Sequence, residues 1–347
     1  MSRTIDSRFA RLLGIRYPVV QEGLGPYKTV RLAAAVSNAG GLGTVSMPGM
    51  TDPRGPAVLR GYIEETCALT DRPFAVNVPV GRDATGKILP FSAAYVGAVV
   101  DAVRDRQIAR RLRMITTSAG APSVVRGSIA DSGLIHAHKV GGPRQALRAE
   151  ADGVDVIIAS GYEAGGHTHA RPVHTMVLGP SVRAAVDLPL VLAGGIHDGA
   201  GMAAALALGA DAVALGTRFV ASHDNSDWHP AYAQRIVNAA EGEDIVFNAI
   251  YGPSRALPSR GVDELAQVAV AMDEDAVTRW KDERLIRAQR DGDVEAGILP
   301  AGNVSGAIHD LIRVAEFVPA VVDEAIVILA SLGERICLIM DEPEQQK

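Results

Sequence analysis

Eight short β-rich runs, alternating with helical stretches, constrain this chain more than any other feature. They fall at 18–21, 41–46, 74–80, 114–118, 135–140, 155–161, 189–196 and 212–219. Most are continuously apolar rather than alternating, the pattern of parallel strands covered on both faces. Between them lie amphipathic segments. In 142–153, Ala146, Leu147 and Ala149 make an apolar face beside Arg and Glu; 198–210 is almost wholly apolar on one side and stops near Gly209. From the fifth run onward the strand-to-strand spacing is about 20 to 35 residues, which suits a βα repeat. Eight such units predict an α/β fold, a (β/α)8 TIM barrel, with a doubly wound open sheet as the alternative. The region 81–113 fits the repeat least well.

After the eighth run the pattern changes. Polar, helix-like stretches at 228–242 and 262–290, with no strand repeat, predict a helical insertion that forms a lid. A helix expected over 310–332 then packs back on the barrel. The expected division is a barrel over 1–219, a lid over 220–290 and a returning C-terminal segment over 291–347.

Charge and composition narrow the partners. A net charge of −6 and a pI of about 5.9, with no basic cluster, argue against nucleic acid. Aromatic residues are only 4% while glycines number 36, which favours close helix-on-strand packing over an aromatic binding surface. Cys67 and Cys337 have no metal or redox spacing and read as buried thiols in a reducing compartment. The first 18 residues lack the apolar segment of a secretion signal, and no run approaches the roughly 20 apolar residues of a membrane span. A cytoplasmic protein with a small-molecule substrate is expected.

The ends of the runs carry the chemistry. The seventh ends in Ala193-Gly194-Gly195-Ile196 and the eighth in Gly216-Thr217-Arg218-Phe219. Glycines there open backbone N–H groups to a ligand, and in barrels the loops after the last two strands are the usual phosphate site. A phosphate-bearing ligand is expected, with plain turns as the alternative. Gly302, Asn303 and Gly306 form either a third donor loop or a connector. The sixth run breaks into 161-GYEAGGHTHARP-172. There Gly165 and Gly166 admit a flat ligand, and His167 stands ready as acid, base or donor. Glu163 reads equally as a ligand's acceptor or a solvated acid.

Gln21 and Asn77 are amides in apolar strands and must have partners, supplied by a heterocycle or by a structural network. Lys139 is either a positive charge beside an electron-rich ring or a surface lysine. Two H-x-H pairs, His136/His138 and His167/His169, raise a metal-dependent barrel hydrolase. The eighth run ends without the carboxylate such a site needs, so no metal is expected. Trp228, Tyr232 and Tyr251 either line the substrate cavity or pack.

Six segments stand in a familiar order: LAAAVSNAGGLG (32–43), PFAVN (73–77), GYEAGGH (161–167), LAGGI (192–196), ALALGADAV (205–213) and GTRF (216–219). Together they resemble the nitronate monooxygenase family, formerly called 2-nitropropane dioxygenase, which includes FMN-dependent enoyl-ACP reductases. The resemblance runs along most of the chain. It implies FMN lying across the strand ends, with Gln21, Glu22, Gly23 and Asn77 on the ring side and Gly165 and Gly166 behind it. Gly194, Gly195, Gly216 and Thr217 would bind the phosphate, and His167 would be the catalytic histidine. It further implies oxidation of an alkyl nitronate with O2 to a carbonyl compound and nitrite, or else an NAD(P)H-dependent reduction of an enoyl or other acyl thioester, in a possible homodimer. The sequence departs from the family at Glu22-Gly23, where a Pro-Met pair is common, at Thr168-His169, at His138-Lys139 and at Asn303. GTRF and AGGIHDG lean toward the reductase-like branch.

Overall fold

A computed structural model describes residues 3–81, 85–249 and 252–335; Tyr251 and Cys337 lie outside them. Twelve strands are present among these residues: β1 (Val19–Gln21), β2 (Gly43–Ser46), β3 (Phe74–Val80), β4 (Leu112–Ala119), β5 (Ile135–Val140), β6 (Val156–Ser160), β7 (Gly166–His167), β8 (Leu190–Ala193), β9 (Ala212–Leu215), β10 (Ile245–Ala249), β11 (Gly252–Leu257) and β12 (Leu299–Pro300). Eight of them form one all-parallel sheet in the order β1-β9-β8-β6-β5-β4-β3-β2. A parallel bridge between Val20 and Leu42 joins its two edges, so the sheet closes into a TIM barrel. The expected fold is present, and the open sheet is not.

Alternation along each strand sorts the side chains. Val20, Ala75, Met114, Ala137, Val156, Ile158, Val191, Ala193, Ala212 and Ala214 fill the barrel with mostly small residues. Phe9 and Leu13, from the helix Arg8–Leu13, join that cluster. The same helix is anchored at the N-terminal ends of β8 and β9, where Arg8 Nε and Nη2 donate to Asp211 and Arg8 Nη1 to the Asp187 carbonyl. The bottom of the barrel is therefore plugged, and only the C-terminal face is left open. Outward-facing residues meet a ring of helices. The helix Val314–Glu334 completes that ring against Gly199–Ala207 and Val30–Asn38. The irregular stretch after β3 holds the helices Pro90–Ala102 and Arg106–Ala109. Among the described residues, no helix is long and apolar enough to cross a membrane.

Two expectations need correction. The eighth run ends at Leu215, and Thr217–Val220 coils into a short helix, because Gly216 stops the strand and its carbonyl accepts from Phe219 and Val220. The stretch 220–290 is not wholly helical. β10 and β11 form an antiparallel hairpin, and both β7 and β12 pair antiparallel with the other edge of β11, β7 at Ser254–Arg255 and β12 at Ala256–Leu257. Its pattern is hard to read because β10 is only half-buried, while β11 carries Pro, Ser and Arg and gains its burial from other parts of the chain. The helices Arg260–Ala271 and Glu274–Asp291 pack on this small sheet through Val262, Leu265, Val277 and Leu285.

Gln21 proves to be a clasp between strands. Its buried amide donates to the Thr44 carbonyl at 2.8 Å and the Glu22 carbonyl at 2.9 Å, and accepts from the Thr44 N–H at 3.2 Å. With its polar atoms engaged by the protein, it does not line the ligand cavity. Gln21→Leu should remove these bonds and leave buried Thr44 backbone groups unpaired, lowering stability by about 2 kcal/mol in urea unfolding. An unchanged unfolding midpoint would contradict the clasp.

Candidate active site

A cavity of about 550 Å³ occupies the open face of the barrel. Each strand end contributes what its local backbone permits. Glu22 and Gly23 follow β1; Asn77 stands on β3 and Lys139 on β5. Glu163, Gly165, Gly166 and His167 follow β6; Gly194 and Gly195 follow β8; Gly216 and Thr217 follow β9. Gly302 arrives from the loop after β12. Trp228 and Tyr232 line the cavity and also pack: the indole N–H donates to the Lys28 carbonyl at 2.8 Å, and the phenol to the Pro300 carbonyl at 2.9 Å.

Asn303 lies outside the cavity wall. Its amide donates instead to Asp244 Oδ1 at 2.8 Å. Asp244 also pairs with the buried Arg255, whose guanidinium donates to the Tyr162 carbonyl at 3.0 Å and covers the Tyr162 ring. This network ties the β10–β11 hairpin to the loop after β6. The loop is fixed from its other side as well. Glu163 Oε1 and Oε2 both accept from the Thr175 N–H at 3.1 Å, and Oε2 accepts from the Thr175 hydroxyl at 2.9 Å. The acid thereby caps the helix Thr175–Arg183 while still facing the cavity. Gly165 is held against 301–302, where an added Cβ would sit 2.6 Å from the Ala301 carbonyl carbon. The Gly302 N–H donates to Thr217 Oγ1 at 2.8 Å, which joins the last loop to the end of β9.

Lys139 is not a lone charge. Its ammonium donates to Glu22 Oε2 at 2.7 Å across the mouth of the barrel. Glu22 Oε1 is buried and has no hydrogen-bond partner among the described residues, so one lone-pair-bearing oxygen remains for a ligand. Asn77 donates to Thr116 Oγ1 at 2.8 Å and presses against Gly23, where any Cβ would come within 2.6 Å. Gly194 and Gly195 hold φ values of 91° and 73°, a region costly for other residues, and leave bare backbone facing the cavity.

His167 sits in the cavity wall on β7, paired with Ser254 of β11. Its ring opens to the cavity yet is surrounded by protein, as a side chain facing an internal space must be. Burial, and secondarily the charge of Lys281, push its pKa down to about 3. Lys281 Nζ lies 3.4 Å from His167 Nε2, and Lys281 itself is only 5% exposed. Burial lowers the lysine's own pKa, against the opposing charge of Asp282. Asp282, raised by burial, accepts from the Met50 N–H at 2.9 Å and so joins the helix Glu274–Asp291 to the loop after β2. Sequence reasoning missed both residues, because 280-WKDERLIR-287 looks like a solvated charged face. Their only signal was position: Lys281 and Asp282 share a helix with the buried Val277 and Leu285.

The H-x-H pair on β5 faces away from the cavity. Ala137 points into the barrel, so His136 and His138 point out toward the helices, bracketing Thr117 Oγ1 at 2.8 Å each. Among the described residues no group of three or more potential metal ligands occurs. Burial pushes the two pKa values down to about 3 and about 4, with the neighbouring histidine or other charges as smaller causes. A depressed histidine pKa means that the unfolded chain takes up protons first as pH falls. Stability from this pair is therefore full above about pH 6.5 and is lost toward pH 4. Each histidine should cost about 2 kcal/mol at pH 5. Replacing both with glutamine should flatten the loss of Tm between pH 7 and 5; an equally steep loss would contradict it.

Known proteins share this architecture and sequence. Residues 6–324 match the nitronate monooxygenase family. The solved structure of FabK from Thermotoga maritima is 32% identical, covers 96% of this chain and 100% of that one, and superposes with a TM-score of 0.83. The nitronate monooxygenase of Pseudomonas aeruginosa is 32% identical over 74% of this chain and 81% of its own length. The (3aS,4S,5R,7aS)-5-hydroxy-7a-methyl-1-oxo-octahydro-1H-indene-4-carboxyl-CoA dehydrogenase of Mycobacterium tuberculosis is 31% identical over 91% and 94%. With a barrel plugged at one end, a glycine-rimmed cavity at the other and a match along nearly the whole chain, this protein is an oxidoreductase that belongs to the nitronate monooxygenase family.

Proposed function

We propose that the protein is an FMN-dependent nitronate monooxygenase that oxidises alkyl nitronates with O2 to a carbonyl compound and nitrite. The observation that carries this reading is the convergence on one cavity of bare backbone at Gly194, Gly195 and Gly216, an unpaired acceptor on Glu22 and the wall histidine His167. These groups fit a flavin mononucleotide. The glycines leave backbone open for a phosphate, as does Thr217 at the start of its helix. Gly165 and Gly166 bring backbone without a side chain to the cavity wall, where a flat ring could lie. Asn77, Glu22 and Lys139 face where the ring's polar edge would lie.

Bound FMN supplies the electron acceptor for the substrate carbanion and the route to dioxygen, chemistry no side chain here can perform. His167 orients the substrate beside it. The Glu22–Lys139 pair presents a fixed dipole to the ring, and the segment 220–290 acts as a lid over a barrel of 1–219, with 291–347 as the segment that returns to the barrel. Aerobic incubation with propionate 3-nitronate should release nitrite in step with oxygen uptake. A flavin-loaded protein that releases none would overturn the reading.

A second reading has one observation in its favour. Beyond the polar groups, the cavity wall is apolar: Met47, Met50, Val80, Leu89 and Phe91 face Phe247, Leu285 and Ile298 from the lid side. Such a wall suits an acyl chain, and one of the similar proteins is named an octahydro-1H-indene-4-carboxyl-CoA dehydrogenase. Under that reading the protein reduces or oxidises an acyl thioester, with NAD(P)H as donor in the reductive direction, and His167 assists protonation.

A further inference from the structure

Among the described residues, three that line the cavity hold a buried side-chain oxygen with no hydrogen-bond partner: Glu22 Oε1, Ser46 Oγ and Thr168 Oγ1. The two hydroxyls can donate or accept, but a carboxylate oxygen only accepts. A buried, ionised acceptor without a donor is costly, so Glu22 marks the place where a ligand's N–H or O–H arrives. The residue is held firmly there. Its N–H donates to the Leu215 carbonyl at 2.9 Å, its carbonyl accepts from Gln21 Nε2 at 2.9 Å, and its Oε2 accepts from Lys139 Nζ at 2.7 Å. The pair thus sets an acceptor and an ammonium side by side on the wall. Both residues stand where this chain departs from the family pattern. The other charged groups of the wall are engaged away from the pair: Glu163 with Thr175, and Asp282 with Met50 on the helix that carries Lys281. His169 packs over Gly141, and burial, with the charge of Lys139 second, lowers its pKa, so it adds no third charge at pH 8.

One edge of an oxidised flavin ring reads carbonyl, N–H, carbonyl, so an acceptor beside a donor matches it. We propose that Glu22 and Lys139 form a charge-compensated pair that fixes the cofactor's reduction potential: Glu22 Oε1 accepts the ring's imide N–H, and the two charges cancel toward the ring. The assignment deepens the flavin reading above and rests on it. Reduction by two electrons with uptake of one proton leaves the ring anionic at pH 8. A lone positive charge beside it therefore favours the reduced form, and a lone negative charge opposes it. Removing either partner exposes the other, with opposite effects. In a site this sheltered, one uncancelled charge shifts the oxidised-to-reduced ratio by more than about tenfold, which is about 30 mV for a two-electron couple.

The test measures the potential of the full-length, FMN-loaded protein at pH 8 by spectroelectrochemical titration. Glu22→Gln should raise the midpoint by at least about 30 mV, and Lys139→Met should lower it by at least as much. The double variant, neutral at both positions, should return to less than half of either shift. A second measurement needs no variant. The flavin-free wild-type protein should bind 3-methyl-FMN, which lacks the imide N–H, at least about tenfold more weakly than FMN, read by quenching of flavin fluorescence. Shifts of the same sign, unchanged potentials, or equal binding of the two flavins would overturn the pair's role while leaving FMN in the site. Where a single variant no longer holds FMN, the 3-methyl comparison decides. A wild-type protein that takes up neither flavin would overturn the cofactor reading and the pair's role together.

Discussion

His167→Ala leaves the flavin bound and lowers kcat/KM for the nitronate about 100-fold, the scale expected when one positioned donor or acid–base group is removed from a reacting centre. The residue stands at the cavity wall on a two-residue strand, and its ring supports neither the barrel nor the proposed phosphate region. Flavin content should therefore stay near one per chain while turnover falls. Part of the loss should appear as a higher KM, because the ring no longer orients the substrate. Near-full turnover would remove His167 from the chemistry.

Gly216→Leu should weaken FMN binding about 100-fold, the upper end of the 1–3 kcal/mol that overfilling a packed site costs. The position separates binding from folding. Its φ is −109°, which any residue adopts, and an added Cβ would meet Leu24 at 3.6 Å and Glu22 at 3.8 Å, ordinary contact distances. A larger side chain thus projects into the cavity rather than through the backbone. The apoprotein's Tm should stay near that of the wild type while the FMN Kd, read by quenching of flavin fluorescence, rises. A fully yellow variant would show that the phosphate lies elsewhere.

The barrel was legible in the sequence because strands covered on both faces must be continuously apolar, and runs such as 156-VIIAS-160 have few other uses. The cavity rim was legible for a related reason. Glycines directly after buried strands mark places where backbone meets something closely, and those at 165–166, 194–195 and 216 all reach one cavity. What escaped was set by contacts between distant parts of the chain. Gln21 looks the same in sequence whether it serves a ligand or Thr44; only the register of β1 beside β2 decides. Asn303 was claimed by Asp244, a residue of a hairpin with no clean alternation to announce it. Lys139 found Glu22 across the barrel, 117 positions away in sequence. Lys281 and Asp282 were hidden by their own charge, because composition assigns such residues to solvent. The structure buries both, at 5% and 6% exposure, where the helix Glu274–Asp291 meets the cavity.

The central claim is tested most directly by the absorbance of the purified protein without oxygen. Propionate 3-nitronate is added to one sample and NAD(P)H to another, and the flavin bands are followed. Bleaching by the nitronate alone, with colour and nitrite returning on admission of air, is the result the account predicts. Bleaching by the nicotinamide only would contradict nitronate oxidation and assign the pocket to acyl-thioester chemistry, and a colourless protein that takes up no FMN would contradict both.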